Sequence, residues 1–308
     1  THGSLTSNNG VTLDVGVNRT ITCGGSWVNN GTFNANNGLV VFDGTAQSIN
    51  AAGQAFYDLQ LSTSSTTKTL TGAIDINHNL TIDAGVTFDV SAIAYQINIA
   101  GNWINNGTFT RRTGTVVFDG TTVISGSTAP SFNNVTISGT ALTLPSGLTT
   151  DVSGNWNQSA GTLTATGSTL QFSGSSQNIA PGGQSFNHVT ISGAGTKMLT
   201  GAGTIAGVTT GSEISFYPGG TNTISGLVPL RKGKVVIATN SGSLGDGRET
   251  SVRSEGLNPV MRSIESTNVP ASQQQKVEVK NGVGQIRLTS DYKAGNADIR
   301  VYNGQSDA

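Results

Sequence analysis

Gly101-Asn-Trp103-Ile-Asn-Asn-Gly-Thr-Phe109, then Thr115-Val-Val-Phe118-Asp-Gly-Thr121 and Phe132-Asn-Asn-Val135-Thr-Ile137, is a run of short apolar/polar alternations broken by turn residues. It has an upstream counterpart. That copy reads Gly25-Ser-Trp27-Val-Asn-Asn-Gly-Thr-Phe33, Leu39-Val-Val-Phe42-Asp-Gly-Thr45 and Phe56-Tyr-Asp-Leu59-Gln-Leu61. A downstream copy reads Gly154-Asn-Trp156-Asn-Gln, Thr169-Leu-Gln-Phe172-Ser-Gly-Ser175 and Phe186-Asn-His-Val189-Thr-Ile191. Trp to the first aligned Phe is 15, 15 and 16 residues, and that Phe to the next is 14 in every copy. Successive Trp lie 76 and 53 residues apart, and the difference, 23, is about one coil of a β-solenoid.

Period-two alternation such as Val135-Thr-Ile137 marks strands with one buried face. Gly, Asn, Ser and Asp between them are turn residues. Asn29-Asn-Gly31 and Asn105-Asn-Gly107 are expected to turn through positive φ, which Asn and Gly tolerate. Copy three shows which side faces in. Where the others read Val-Val-Phe it reads Leu170-Gln171-Phe172, so Gln171, Val41 and Val117 face out. Val40, Phe42, Val116, Phe118, Leu170 and Phe172 face in, as do Leu59/Leu61, Val135/Ile137 and Val189/Ile191. The fold class is therefore all-β: a right-handed parallel β-solenoid over residues 1–227. Its repeat core is Trp27, Trp103 and Trp156 with Phe42, Phe118, Phe172, Phe56, Phe132 and Phe186.

Composition changes near residue 227. The first 227 residues hold 14 of the 33 charged residues, and the last 81 hold 19. Residues 228–308 show strand signals at Lys276–Lys280, Gln285–Thr289 and Ala297–Tyr302. Asn281-Gly282 reads as a hairpin turn, so a small antiparallel β module is expected there.

Charge and composition remove several functions. Of 308 residues 11 % are charged, against roughly 25 % in an average soluble domain, and the net charge is −1. No basic surplus exists to neutralise a phosphate backbone, which argues against nucleic acid as a partner. With 42 Gly, a helical fold is disfavoured. No apolar run approaches the ~20 residues of a spanning helix. Cys23 is alone and reads as a small buried hydrophobe.

Candidate chemistry is sparse. Asp43 and Asp119 share a repeat position that Ser173 fills in the third copy, which suits a turn acceptor better than a catalytic pair. Asp14, Asp89 and Asp151 also recur and read as strand-start caps. Asp75, Asp83 and Asp89 are the one local acidic cluster, and they lack the spacing of a calcium loop. His2, His78 and His188 are scattered, with no nucleophile-elbow motif nearby. The basic residues of the repeat region are Arg19, Lys68, Arg111, Arg112 and Lys197. Sequons at Asn30, Asn79, Asn106 and Asn134 follow from an Asn/Thr-rich composition. No catalytic, cofactor-binding or metal-ligating residue is assigned. The three Trp, sharing one repeat position, allow two readings: a buried aromatic stack, or a row on one face for stacking against sugars.

At Gly101-Asn-Trp103-Ile-Asn-Asn-Gly-Thr-Phe109 and Thr115-Val-Val-Phe118-Asp-Gly-Thr121 the chain resembles repeats of large secreted prokaryotic surface proteins. Those are parallel β-helices of the adhesin and autotransporter-passenger type, and the resemblance covers about residues 10–227. The tail from Asn281 through Val301 looks like the last strands of bacterial Ig-like modules. The resemblance implies a secreted or cell-surface location and a non-enzymatic structural role, and it transfers no catalytic residue. The expected function is a self-assembling fibre or surface-layer subunit. A glycan- or surface-binding adhesin and a carbohydrate-active β-helix enzyme remain as alternatives, with ice binding more remote. Because the chain starts at Thr1, it reads as a mature form without its signal peptide. Thr1–Asn9, with Leu5 its apolar residue, is too short and polar for a capping helix. That end is expected to stay open and to join the C-terminal module of another copy, giving a head-to-tail homopolymer.

Overall fold

The computed structural model describes residues 3–193 throughout. After these it describes Lys197, Thr200 and the backbone of a series of strands ending at Tyr302. Among the described residues every regular element is a strand, and the strands stack in parallel as a β-solenoid. The chain forms two compact units. One is Thr1–Thr150 with Ser159–Thr164, and the other is Asp151–Gln158 with Ala165–Ala308.

In the first unit each coil contributes three short strands, one to each of three faces. The first face stacks Leu5–Ser7, Trp27–Asn29, Ala46–Asn50, Thr66–Leu70, Val86–Asp89 and Thr108–Thr110. The second stacks Ala55–Phe56, Ile74–Ile76, Ile97–Ile99, Thr115–Phe118 and Asn134–Ile137. At the corresponding place in the first two coils, Thr12–Asp14 pairs with Thr32–Asn34. The third stacks eight strands from Thr20–Cys23 to Thr162–Thr164. Paired residues such as Ile21 and Val40 are 19 positions apart and Leu80 and Trp103 are 23, so a coil takes about twenty residues.

The alternation sets the interior. Val40, Phe42, Val116, Phe118, Val135 and Ile137 are buried, while Val41, Val117 and Thr136 between them are partly exposed. A single coil has no second layer to cover these side chains. Each is covered instead by its counterparts above and below, as Ile99 is by Ile76 and Phe118.

The sequence repeat and the coil are out of phase. Trp27 lies on the first face and Trp103 on the third, eleven strands later. With three strands to a coil, eleven strands fall one short of four coils, so the copy lands one face before its own. Trp156 follows after eight further strands, one coil fewer, which accounts for the 23-residue difference between the two Trp spacings.

In the second unit, parallel pairing continues at the same period. Trp156–Gln158, Gln177–Ala180 and Lys197–Thr200 stack in one sheet, and Thr169–Phe172 pairs with His188–Ile191. The expected antiparallel hairpin is corrected at its first strand. Lys276–Lys280 pairs in parallel with Glu249–Arg253 and Asp298–Tyr302. Lys276 faces Asp298, 22 residues on, which is a coil's length and not a hairpin's. Gln285–Thr289 and the composition change near residue 227 lie outside the described residues.

The Asn-Asn-Gly turns differ from expectation. Neither Gly31 nor Gly107 has positive φ. Asn29 and Asn105 are buried, and their Oδ1 atoms accept the N–H of Gly31 and Gly107 at 3.2 and 3.1 Å. The glycines are there for space: a Cβ on Gly31 would lie 2.2 Å from the carbonyl oxygen of Val11, and one on Gly107 2.4 Å from that of Val86.

Candidate functional site

The Trp and Phe of each copy converge on one aromatic cluster. The indole of Trp27 meets Phe33, Phe42 and Phe56 with ring centroids 5.0, 6.0 and 5.5 Å apart. Trp103 meets Phe109, Phe118 and Phe132 at 4.9, 6.4 and 5.3 Å. In the second unit Trp156 meets Phe186 at 5.7 Å, and Phe172 meets Phe186 at 5.9 Å. Most of these pairs are edge-to-face, a geometry worth ~0.5–1.5 kcal/mol per pair beyond burial. The repeated spacings between Trp and Phe, 15 or 16 and then 14, are thus the signature of a cluster built from consecutive coils. Trp27, Trp103 and Trp156 are 0 %, 1 % and 1 % exposed. A sugar-stacking row is overturned on two counts: the indoles are buried, and Trp27 and Trp103 lie on different faces.

Outward side chains bond from coil to coil. Immediately before the Trp, Ser26 N donates to Ser4 Oγ at 3.1 Å, and Ser26 Oγ accepts from Ser48 N at 3.1 Å. In the second copy Asn102 N donates to Asn79 Oδ1 at 3.1 Å, and Asn102 Oδ1 accepts from Val123 N at 3.1 Å. In the second unit Asn155 Oδ1 accepts from Asn178 N at 2.9 Å. These ladders were not foreseen. The signal was present as Ser, Asn and Asn at the residue preceding each Trp.

The acidic candidates divide by face. Asp75, Asp83 and Asp89 stand on or beside strands of three different sheets, so sequence proximity does not make them one cluster. Asp83 accepts Gln60 Nε2 at 2.9 Å. Asp89 accepts Arg112, whose hydrogen bonds hold its carboxyl below the usual range. Asp14 accepts Gly16 N at 2.7 Å and the amides of Asn34 and Asn36, and its carboxyl is likewise lowered. The expected strand-start caps are corrected: Asp14 and Asp89 end their strands and Asp151 lies within Thr149–Val152, and the first two carboxylates bond residues of the next coil. Asp119 instead comes near Asp75. Burial raises the carboxyl of each, and the charge of Asp75 raises Asp119 further. No group of three His, Cys, Asp or Glu that could hold a metal ion is found among the described residues.

The remaining candidates are local. His78 Nδ1 lies 2.8 Å from Asp58 Oδ1, and its ring stacks on Tyr57 at 4.7 Å. Asn79 N donates to the same Asp58 oxygen at 3.0 Å. Arg111 donates to Ser131 Oγ, and Lys68 and Lys197 are buried. Cys23 is buried with its Sγ 3.2 Å from Gly25 O, and burial pushes the thiol up. Leu5 belongs to the strand Leu5–Ser7, which pairs with Trp27–Asn29, so the solenoid begins ahead of Gly10. Asn9 is exposed, and Thr1 and His2 lie outside the described residues.

These arrangements define a parallel β-solenoid repeat protein. Comparison of the chain with protein-family models, with curated proteins and with solved structures finds no match.

Proposed function

We propose that the chain is a secreted or cell-surface structural protein, a self-assembling fibre or surface-layer subunit whose copies join head to tail. The observation that carries this reading is the use of the side chains. The large aromatics are turned inward to join coil to coil, and the outward Ser and Asn bond the backbone of the adjacent coil. Such a surface spends its hydrogen-bonding groups on stiffness along the stack. The resemblance to adhesin and passenger-type repeats supports an extracellular place for it.

Copies that join through two different surfaces do not close on themselves and give a filament. The proposal joins the N-terminal coils of one copy to the C-terminal strands of the next, strand pairing with strand. Purified chain should then sediment as a concentration-dependent series and form filaments under electron microscopy. A monomer at all concentrations overturns head-to-tail joining.

A glycan-binding adhesin is the second reading, favoured by the half-exposed His78 ring stacked on Tyr57. An oligosaccharide panel separates the readings. Binding lost on Tyr57→Ala supports the adhesin, turnover supports a carbohydrate-active enzyme, and neither supports the structural role.

A further inference from the structure

Gln47 and Lys68 are both buried and stand directly over one another in register, as are Gln177 and Lys197. Their contacts match atom for atom. Gln47 Oε1 accepts Gly44 N at 2.9 Å, and its Nε2 donates to the carbonyls of Cys23 and Gly25. Gln177 Oε1 accepts Gly174 N at 2.9 Å, and its Nε2 donates to the carbonyls of Val152 and Gly154. Lys68 Nζ, from the following coil, donates to Gly44 O, and Lys197 Nζ donates to Gly174 O. Each glutamine–lysine pair therefore ties three consecutive coils through the two backbone polar groups of one glycine.

The middle copy solves the same corner differently. There the register partners are Thr122 and Leu142. Gly120 O accepts two backbone donors of the next coil, Thr140 N at 2.8 Å and Ala141 N at 3.2 Å. The difference follows loop length. Leu142 comes five residues after Ile137, whereas Lys68 comes seven after Leu61 and Lys197 six after Ile191. Gly120 to Thr122 is two positions, and Gly44 to Gln47 and Gly174 to Gln177 are three. Among the described residues no backbone N–H donates to Gly44 O. In the short corner the backbone donates to the glycine, and in the longer corner ahead of Lys68 it does not.

We infer that Lys68 and Lys197 are corner locks: each ammonium replaces, at a glycine turn, the backbone donor that a longer loop withdraws, and Gln47 or Gln177 fixes the same glycine from its own coil. The residue pair at this position thus encodes corner length, Thr with Leu for the short corner and Gln with Lys for the long one. The corner after Phe42, Phe118 and Phe172 is the place where this solenoid accepts extra residues without losing coil register. Buried polar groups that set register are an established use of such residues.

Reciprocal substitutions in the full chain test this. Lys68→Met keeps the stem and removes the donor that Gly44 O accepts. Its folding equilibrium constant, from denaturant titration, should fall by ~5-fold or more. Leu142→Lys places an ammonium where Gly120 O is already engaged and should also lose ~5-fold or more. A smaller loss in either variant overturns the lock, because a buried lysine that merely fills space is replaced by Met without cost. If Lys68→Met does not fold, Lys197→Met is read by amide hydrogen exchange at Gly174 and Gln177. Faster exchange there than at Val135 and Ile137 supports the lock, and unchanged exchange overturns it.

Discussion

Asp89 receives both Nε and Nη2 of Arg112, at 3.0 and 2.8 Å, from a residue 23 positions later in the chain. Arg112 has a φ of 48°, and so has its counterpart Asn36 at 47°, whose amide reaches Asp14. One carboxylate at the end of a strand thus holds the left-handed corner of the next coil, with Arg in one copy and Asn in the other. Asp89 is held low by Arg112, so its contribution is present at neutral pH and disappears as pH falls through that lowered value. Arg112→Ala should lower Tm at pH 7, and its difference from wild type should close only below the ordinary carboxylate pKa of ~3.9. A difference that is constant down to pH 2 assigns the effect to something other than this pair.

Asp119 and Asp75 have the opposite sign. Burial raises both, and Asp75 raises Asp119 further, so their ionisation opposes folding. The penalty is complete above the raised values and relieved as pH falls toward the unfolded-state range. Asp119→Asn should therefore raise Tm at pH 7, with the gain shrinking as pH falls toward ~4 and absent below it. Thermal melts between pH 3 and 8 read it directly, and a gain independent of pH contradicts the charge argument.

Phe172 and Gln171 are adjacent and face opposite ways. Phe172→Ala removes a fully buried ring in contact with Phe186 and should cost ~3–5 kcal/mol. Gln171→Ala loses one half-exposed bond to Ser192 and should stay within ~0.5 kcal/mol. Similar losses at the two positions in urea titration would reverse the assigned facing.

Two glycines separate steric need from conformational need. Gly44 has no room: a Cβ would stand 1.9 Å from Gly24 O. Gly53 has φ 79° but open space around it. Gly44→Ala should cost ~3 kcal/mol or more, since backbone of two coils must part. Gly53→Ala should cost ~1–2 kcal/mol, the strain of an L-residue in the left-handed region. Equal costs would mean that the coils separate more easily than their spacing indicates.

What could be read from the sequence was the local alternation and its repetition. Leu170-Gln171-Phe172 told inside from outside because a two-residue period depends only on neighbours along the chain. The spacing of Trp103, Phe118 and Phe132 implied a common packing unit for the same reason, since near-equal segment lengths bring them together coil after coil. The sequence could not tell on which face each copy lies. Copies of 76 and 53 residues look equivalent in a list, yet a coil of about twenty residues and three strands turns Trp27 and Trp103 onto different sheets. It could not tell why Asn29 and Gly31 stand together, because the need is for space beside Val11 O, a contact across coils. Nor could it distinguish Lys68 from a solvated charge: only stacking over Gln47 and Gly44, from the preceding coil, takes its ammonium out of water. Periodicity along the chain fixes which way a side chain points, while its neighbours are set by coil length and loop length summed over every preceding turn, and that sum exists only in the assembled solenoid.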